Sequence, residues 1–334
     1  MNKNIIEIIE QAEDFPALPH VLIELFQLVN REDVALSSIS MLISKDPSLS
    51  TRILKMVNST YYNFQQPISN IHQAVSFLGL KVLRDIAVTV SMMNIFPGTQ
   101  KDEYQHLFRR SLCAGITASL IADYVGRVDK SEAFLAALLQ NIGSYIYLRY
   151  MGNEYIEVLN ESRNSGIELP FIEKRYLQIT NAQAGQIVAE RWKLPRKTIM
   201  AIRYQYNIKL AYKKSLPKDV LQIIELAYLG GVAADFFTGW NKSFKRALFR
   251  TRVERLFKKG PAISEDILSS IPSLVNNMGF HTIIGKLDSY EEIKQQAENE
   301  LVQKYTIFNK TYNRLRELEK AKEPASELDS FAAN

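Results

Sequence analysis

Cysteine and glycine are scarce in this sequence, long apolar runs are missing, and each lack excludes a class of protein. The single cysteine, Cys113, cannot form a disulfide within the chain and gives no sign of an oxidising compartment. Only 14 glycines occur in 334 residues, and no alternating strand pattern is bounded by turn pairs. No stretch approaches roughly 18 uncharged apolar residues, and the first 15 residues lack the apolar run of a signal peptide. We therefore expect a cytoplasmic protein without membrane insertion.

Histidine is equally scarce, with four in the chain: His20, His72, His106 and His281. None has a second histidine at helical ligand spacing, and none is followed by aspartate. The motifs of zinc hydrolases, serine hydrolases, phosphate-binding loops and dinucleotide-binding turns are all absent from the sequence. The sequence offers no recognisable reaction centre, so we expect no catalytic residue, no metal and no cofactor.

Helix signals are present along the whole chain instead. Asp46 can cap a helix that begins at Pro47, because proline at the first helical position loses no needed donor. Gly79 ends a predicted helix over residues 71–78 and separates it from a second apolar helix over 80–95. Five to six helices fit into the first hundred residues, which indicates one helical bundle.

The middle of the chain continues as helices. Two long helices are predicted over residues 104–126 and 130–150, and the second is so apolar around 133–139 that we expect it at the centre of the core. Further helices are predicted over residues 155–165, 170–177, 181–192, 195–205 and 217–237. Residues 260–285 are predicted to form short helices interrupted by prolines. The chain is therefore predicted to be all-α.

Residues 290–322 form a long amphipathic pattern. Apolar side chains recur every three or four residues at Ile293, Ala297, Leu301, Tyr305, Phe308, Tyr312, Leu315 and Leu318. Two readings stay open: a last helix that packs on its own domain, or a coiled-coil arm through which a homodimer or partner contact forms. The tail over 324–334 is small and polar, and we expect it to be disordered.

The net charge of +5 is mild, and most of the basic excess lies between residues 209 and 259. The densest cluster comprises Lys242, Lys245, Arg246, Arg250, Arg252, Arg255, Lys258 and Lys259. At 3.6 residues per turn these charges spread around a helix and do not form one stripe. A solvated helical face is therefore favoured over a nucleic-acid interface.

Five short motifs near the N-terminus resemble the HDOD family. They are FPALP at 15–19, ISKDPSL at 43–49, VNSTYY at 57–62, the isoleucine at 68 with QAV at 73–75, and FLG at 77–79. In that family they occur as an LPxLP opening, a helix start with DP, a helix end with NSxYY, and a helix with the pattern I-QA-LG. The order and spacing match, and the resemblance continues more loosely to about residue 285.

HDOD domains are helical relatives of HD-type metal-dependent phosphohydrolases, and in bacteria they occur alone or beside signalling modules, usually without demonstrated catalysis. The resemblance implies an all-α, HD-like bundle with an N-terminal helical subdomain. We expect that subdomain over residues 1–100, a degenerate HD-like core over 101–215, a C-terminal extension over 216–288, an amphipathic or coiled-coil helix over 289–323, and the tail.

The resemblance also implies that the metal ligands of the hydrolases are replaced. Their histidine before serine is Arg110-Ser111 here, their His-Asp pair is Gln140-Asn141, a later histidine is Asn181, and a histidine pair is Gln205-Tyr206. Amide oxygens are weak ligands for a transition metal, and a guanidinium would repel one. The resemblance therefore implies a protein that is not an enzyme.

The replaced positions form a candidate ligand site if the helices keep their arrangement. Arg110 with Gln140, Asn141, Asn181 and Gln205 could hold a phosphate or carboxylate, because arginine offers a planar fork of donors. The alternative is structural: Gln140 and Asn141 are buried polar groups that must find hydrogen-bond partners, and Arg110 forms an ion pair or points to solvent.

Three functions remain to be compared. The first is a non-catalytic signal-transduction module that binds a partner protein, through an apolar groove of the first bundle and the helix over 290–322. The second is a sensor that binds a nucleotide or other anion near Arg110 or the basic segment. The third is a metal-dependent phosphohydrolase with an unrecognised site. The sequence favours the first of these.

Overall fold

The computed structural model describes residues 5–11, 15–16, 18–28, 34–95, 101–257 and 262–322. Within these ranges every regular element is a helix, which confirms the all-α prediction. The first nine are α1 (Ile5–Gln11), α2 (His20–Leu28), α3 (Leu36–Ser44), α4 (Pro47–Val57), α5 (Ile71–Ile95), α6 (Lys101–Val125), α7 (Lys130–Leu138), α8 (Ile142–Met151) and α9 (Asn153–Ser165). The others are α10 (Leu169–Leu177), α11 (Asn181–Arg191), α12 (Arg196–Tyr204), α13 (Ile208–Lys213), α14 (Lys218–Thr238), α15 (Lys242–Phe257), α16 (Ala262–Asn277), α17 (His281–Ile284) and α18 (Tyr290–Lys322).

Two of the N-terminal helices, α4 and α5, follow the signals in the sequence. The Asp46 side chain accepts a hydrogen bond from the backbone N–H of Leu49 at 2.9 Å, and Pro47 is the first residue of α4. Gly79 lies inside α5 with φ of 78° and ψ of 166°, which is not helical. Because glycine adopts positive φ without a steric cost, α5 bends there into the two predicted segments.

The core of the chain is built around α6 and α14. Both helices pack against α7, and α6 lies directly on α14. A Cβ atom added to Gly230 would lie 2.4 Å from the backbone oxygen of Ala114, so the two helices approach at backbone distance. By length and composition, α14 is the one helix among the described residues that could cross a membrane, and 72% of its apolar window is buried inside the protein.

The predicted single helix over 130–150 is wrong, because the chain breaks at residues 139–141 into α7 and α8. No glycine or proline lies at this break. The backbone carbonyl of Gln140 accepts a hydrogen bond from Nε2 of Gln205 at 2.6 Å, a partner 65 residues away. A Cβ at Gly143 would lie 1.9 Å from the backbone oxygen of Asn181, so α8 is held against α11. Tertiary contacts therefore set the direction of α8.

The prediction of short, interrupted helices over 260–285 is also wrong for most of that stretch. The helix α16 runs from Ala262 to Asn277 and includes Pro272 in its interior. Proline removes a backbone donor and usually breaks a helix. Here Pro272 is buried together with Leu268, Ile271 and Val275, and α16 packs on α6. Packing of this apolar face outweighs the local cost.

The last helix, α18, has the predicted bounds and two different halves. Tyr290, Ile293 and Ala297 are buried against the rest of the protein. From Leu301 onward the described apolar side chains are exposed. The prediction that this helix packs on its own domain therefore holds for its first two turns. It does not hold for the turns that follow. The dimer stays a prediction, as do the domain boundaries, and residues 324–334 lie outside the described residues.

Candidate functional site

A cavity of about 370 Å³ lies between the core helices. Its walls come from α6 and α14, from the junction of α7 and α8, from the segment joining α9 to α10, and from the start of α15. Four of the five predicted site residues line it: Arg110, Gln140, Asn141 and Gln205. The helix packing described above therefore brings residues up to 95 positions apart in sequence to one cavity.

Arg110 is held by two partners in the wall of the cavity. Its Nε donates to Oδ1 of Asp235 at 2.7 Å, and its Nη1 donates to Oδ1 of Asn141 at 2.6 Å. The second oxygen of Asp235 lies 3.2 Å from Nζ of Lys245. Burial alone would raise the pKa of Asp235, but the two flanking cations lower it below its ordinary value. The structural reading of Arg110 as an ion pair is the one that the geometry shows.

Gln140, Asn141 and Gln205 are buried amides with unequal hydrogen bonding. Nδ2 of Asn141 donates to Oγ of Ser111 at 3.4 Å. Nε2 of Gln205 donates to the backbone oxygens of Gln140 and Ile202 at 2.6 and 3.2 Å. Nε2 of Gln140 and Oε1 of Gln205, by contrast, have no hydrogen-bond partner among the described residues. Asn141 therefore has the partners expected of a buried amide, whereas Nε2 of Gln140 has none among the described residues.

Asn181 does not line the cavity but lies behind it. Its backbone N–H and Nδ2 donate to the carboxylate of Glu173 at 2.8 and 2.9 Å, and Nδ2 also donates to the hydroxyl of Tyr206 at 3.0 Å. The hydroxyl of Tyr155 donates to the same carboxylate at 2.7 Å. Burial raises the pKa of Glu173 to about 7, although these donors act to lower it. Asn181 therefore links α10 to α11 and reaches the site through Gln205 at 3.4 Å.

The sequence reasoning did not select Asp235, Lys245, His106 or Glu168, which line the same cavity. A signal for Asp235 was present, because it is the single charged residue between positions 226 and 238 in an otherwise apolar helix. A lone charge on a buried helix requires a partner. No comparable signal marks the others.

The resemblance to HD-type hydrolases implies a former metal site in this region, and the residues present here do not fit a divalent ion. Among the residues that the structure describes, no group of three or more histidine, cysteine, aspartate or glutamate side chains could hold a metal. Asp235 is flanked by two cations, Arg110 and Lys245, which would repel a third. Burial, followed by the charge of Arg163, lowers the pKa of His106 to about 4, so this imidazole is neutral but has no second histidine beside it.

The second half of α18 presents an exposed apolar face, which we call the arm and define as residues 301–315. Seven of its side chains are at least half exposed: Leu301, Val302, Tyr305, Ile307, Phe308, Tyr312 and Leu315. The same segment contains Lys304, Lys310 and Arg314 and no acidic residue. The arm therefore combines an apolar face with a charge of +3, which is typical of a surface that binds another molecule.

The base of the arm is fixed to the start of α15. The carboxylate of Glu300 accepts hydrogen bonds from the backbone N–H groups of Asn241 and Lys242 at 3.0 and 2.9 Å. Backbone N–H groups at a helix N-terminus have no acceptor within their own helix, and a carboxylate placed there is stabilising. The arm thus projects from a defined anchor.

Several cations of the basic segment have partners within the chain. Lys245 pairs with Asp235, and Arg246 pairs with Glu265 at 2.9 Å. The guanidinium of Arg252 lies 5.8 Å from the ring centre of Tyr228. Lys258 and Lys259 lie outside the described residues. These pairings reduce the charge available for phosphate contacts, and the absence of nucleic-acid binding stays a prediction.

Solved structures share this fold. An HDOD domain protein with unknown function from Geobacter sulfurreducens superposes with a TM-score of 0.69 at 22% identity, covering 82% of this chain and 95% of that one. A proposed phosphohydrolase from Shewanella amazonensis SB2B gives 0.64 at 22% identity, covering 83% and 97%. A proposed signal transduction protein from Marinobacter aquaeolei VT8 gives 0.61 at 20% identity, covering 83% and 62%.

Sequence comparison gives the family. An uncharacterized protein of Treponema pallidum (strain Nichols) is 27% identical over 233 residues, which are 70% of this chain and 44% of that protein. The chain thus spans less than half the length of this relative. The family model of the HDOD domain matches residues 15–208, more than half of the sequence. The chain belongs to the HDOD domain family.

Proposed function

We propose that this protein is a non-catalytic regulatory module that acts in signal transduction by binding a partner protein. The observation that carries the proposal is the arm, where seven apolar side chains are exposed on one projecting helix. Exposed aromatic and aliphatic groups in one patch lower their free energy when a partner covers them. The charge of +3 favours a partner with an acidic surface.

The first bundle is the weaker docking candidate. Its large exposed apolar side chains are Leu36, Met41 and Phe77, on α3 and α5. Scattered single side chains of this kind are normal on a soluble protein. The arm, in contrast, presents successive turns of one helix, which is how an amphipathic helix enters a partner's groove.

The non-catalytic part of the proposal rests on the cavity. Arg110 and Lys245 both lie against the carboxylate of Asp235, and these two positive charges would repel a metal ion there. The related structure named as a proposed phosphohydrolase shares the fold at 22% identity, and fold alone does not imply activity. A regulatory role agrees with the related structure named as a proposed signal transduction protein.

Partner capture from cells that make the protein tests the proposal. Tagged protein is compared with a Phe308→Asp variant, which places a charge in the centre of the arm, and with a Lys310→Glu/Arg314→Glu variant, which reverses its charge and leaves the Lys304–Glu300 pair at its base intact. We expect one acidic protein to be recovered stoichiometrically with the wild type and to be lost with both variants, because apolar burial and charge complementarity are removed in turn.

A Phe77→Asp variant is the matched control, since Phe77 is 66% exposed and Phe308 is 64% exposed. It should recover the partner as the wild type does. Equal recovery by wild type and Phe308→Asp, or loss with Phe77→Asp alone, would contradict docking on the arm.

A further inference from the structure

The positive charge of the chain is concentrated in one stretch, residues 191–218. These 28 residues contain nine lysines and arginines and no acidic residue. Because the net charge of the whole chain is +5, the rest of the chain carries a net charge of −4. Charge that is segregated in this way creates a positive potential over one part of the surface and indicates an anionic partner for that part.

Most of these cations are exposed and have no acidic partner. Lys197 is an exception, because its Nζ lies 2.8 Å from the carboxylate of Glu132 and 3.2 Å from that of Asp219. Arg191 is another, because it donates to the backbone oxygen of Ile9. In the part of the chain that the structure describes, no acidic side chain pairs with six exposed residues of the stretch, which we call the cationic face: Lys193, Arg196, Lys209, Lys213, Lys214 and Lys218.

Three helices bring the cationic face together. Arg196 is the first residue of α12, and Lys218 is the first residue of α14. The ion pair between Lys197 and Asp219 joins the same two helix ends, so the starts of α12 and α14 lie side by side. Lys213 is the last residue of α13, from which the chain leads directly into α14. Cations from three elements therefore lie on one part of the surface.

The backbone of α12 adds to this positive charge. The N-terminus of a helix is the positive end of its dipole, where anions are stabilising and cations are not. The helix α12 follows Pro195, has no side-chain cap and has no acidic residue in its first turn. Its first two residues are the cations Arg196 and Lys197. An anion placed at this helix end would be stabilised by both the side-chain charge and the dipole.

The side chains of the cationic face fit a lipid surface better than they fit nucleic acid. Five of its six cations are lysines, which act as point charges, whereas the planar fork of arginine is the group that reads bases and binds single phosphates in two places. The exposed apolar side chains beside them are Leu210, which is 37% exposed, and Tyr212, which is 49% exposed. Tyrosine is enriched at the level of lipid headgroups, and leucine lowers its free energy by entering the hydrocarbon below them.

We propose that the cationic face adsorbs to a membrane surface rich in anionic lipid headgroups. The lysines lie at the headgroups, and Leu210 and Tyr212 enter the interface, so that no helix has to cross the bilayer. The arm stays free in this arrangement. The helix α14 has 21 residues and is about 30 Å long, with the cationic face at its first residue. Glu300 anchors the arm just beyond its last residue, at Asn241 and Lys242. Membrane adsorption is therefore independent of partner docking on the arm.

Sedimentation with lipid vesicles tests the proposal. The protein is mixed with vesicles of phosphatidylcholine alone, and with vesicles of phosphatidylcholine and phosphatidylserine in equal parts. We expect binding to the mixed vesicles only, and we expect added salt to weaken it, because salt screens the attraction. In a Lys213→Gln/Lys214→Gln variant the partition coefficient should fall at least about tenfold, because each cation near an anionic surface contributes about fivefold.

Two control variants distinguish the cationic face from total charge and from the arm. Lys45→Gln/Lys55→Gln removes two lysines that are also exposed, and Phe308→Asp changes the arm. Both should bind the mixed vesicles as the wild type does. The proposal is overturned if the wild type does not bind the mixed vesicles, if Lys213→Gln/Lys214→Gln binds them equally well, or if either control loses binding. Tighter binding of a DNA duplex or an RNA at equal phosphate concentration, lost in the same double variant, would assign the face to nucleic acid and overturn it as well.

Discussion

The cavity and the arm both depart from the usual arrangement, in which apolar side chains are buried and polar ones exposed. In the cavity, amides, an aspartate and an arginine are buried, and two amide atoms there have no partner among the described residues. On the arm, aromatic and aliphatic side chains of one helix are exposed. Neither arrangement stabilises the isolated chain, because unpaired polar atoms are costly when buried and exposed apolar area gains nothing from folding. Of the two regions, the arm is the one for which we propose a bound partner.

The largest difference between the two regions should appear when Arg110 is changed. Arg110→Leu leaves Asp235 with one cation and removes a donor from Asn141. We expect the free energy of unfolding, measured by urea denaturation, to fall by about 4 kcal/mol, because a buried acid loses part of its compensation. An exposed pair gives the reference: Lys130 lies 3.7 Å from Asp123, and Lys130→Gln should cost less than about 0.5 kcal/mol. Similar losses in the two variants would show that the cavity pair is an ordinary surface pair.

A second difference is the dependence of stability on pH. Near the cavity this dependence comes from Glu173, which is buried. Burial raises its pKa from 4.5 to about 7, so the folded protein binds this proton more tightly than the unfolded chain does. The resulting stability is fully present below about pH 4.5 and is lost as the pH rises through about 7, a change of about 3 kcal/mol.

Comparison with Glu173→Gln isolates this term from other titrating groups. The difference in unfolding free energy between the variant and the wild type should shift by about 3 kcal/mol in favour of the variant from pH 4.5 to pH 8. Denaturation curves at four or five pH values measure it. Parallel pH dependences of the two proteins would mean that Glu173 titrates at its ordinary pKa.

The smallest effect on stability is expected on the arm. Phe308 is 64% exposed and contacts the ring of Tyr312 at a centre distance of 6.2 Å. Phe308→Ser should change the free energy of unfolding by less than about 0.5 kcal/mol, as exposed substitutions do. Ile293→Ser, on the packed part of the same helix, should cost about 2 kcal/mol or more, because Ile293 is 3% exposed. Equal losses of unfolding free energy in the two variants would mean that Phe308 is packed against the rest of the protein.

Local signals allowed much of the helix pattern to be predicted from the sequence. Asp46-Pro47 starts a helix and Gly79 bends one through the conformation of the local backbone. The apolar repeat over 290–322 keeps a single helical period along its length. The break at 139–141 could not be predicted in the same way. It depends on Gln205 and on the contact of Gly143 with Asn181, which join elements far apart in sequence. The helix through Pro272 was not predicted for the same reason, because contacts with distant parts of the chain stabilise it.

Four of the five candidate site residues lie around one cavity, and Arg110 forms the ion pair that was the structural alternative to ligand binding. The resemblance to the family brought Arg110, Gln140, Asn141 and Gln205 together, and the structure places them around one cavity. It did not reveal Asp235, which lies 125 residues from Arg110 and neutralises the charge that an anion would need. The positions of replaced metal ligands therefore locate a site. The residues that now pair with them, such as Asp235, determine what can bind there.

Hydrolysis assays with added metal test the central claim, that this HDOD protein binds and does not catalyse. Full-length protein is incubated with Mn²⁺, Fe²⁺ or Zn²⁺ and a nitrophenyl phosphodiester, and bound metal is measured after gel filtration. Because Arg110 and Lys245 hold two cations on Asp235, we predict no stoichiometric metal and no turnover above buffer. Stoichiometric metal with hydrolysis that is lost in Asp235→Asn would contradict the account.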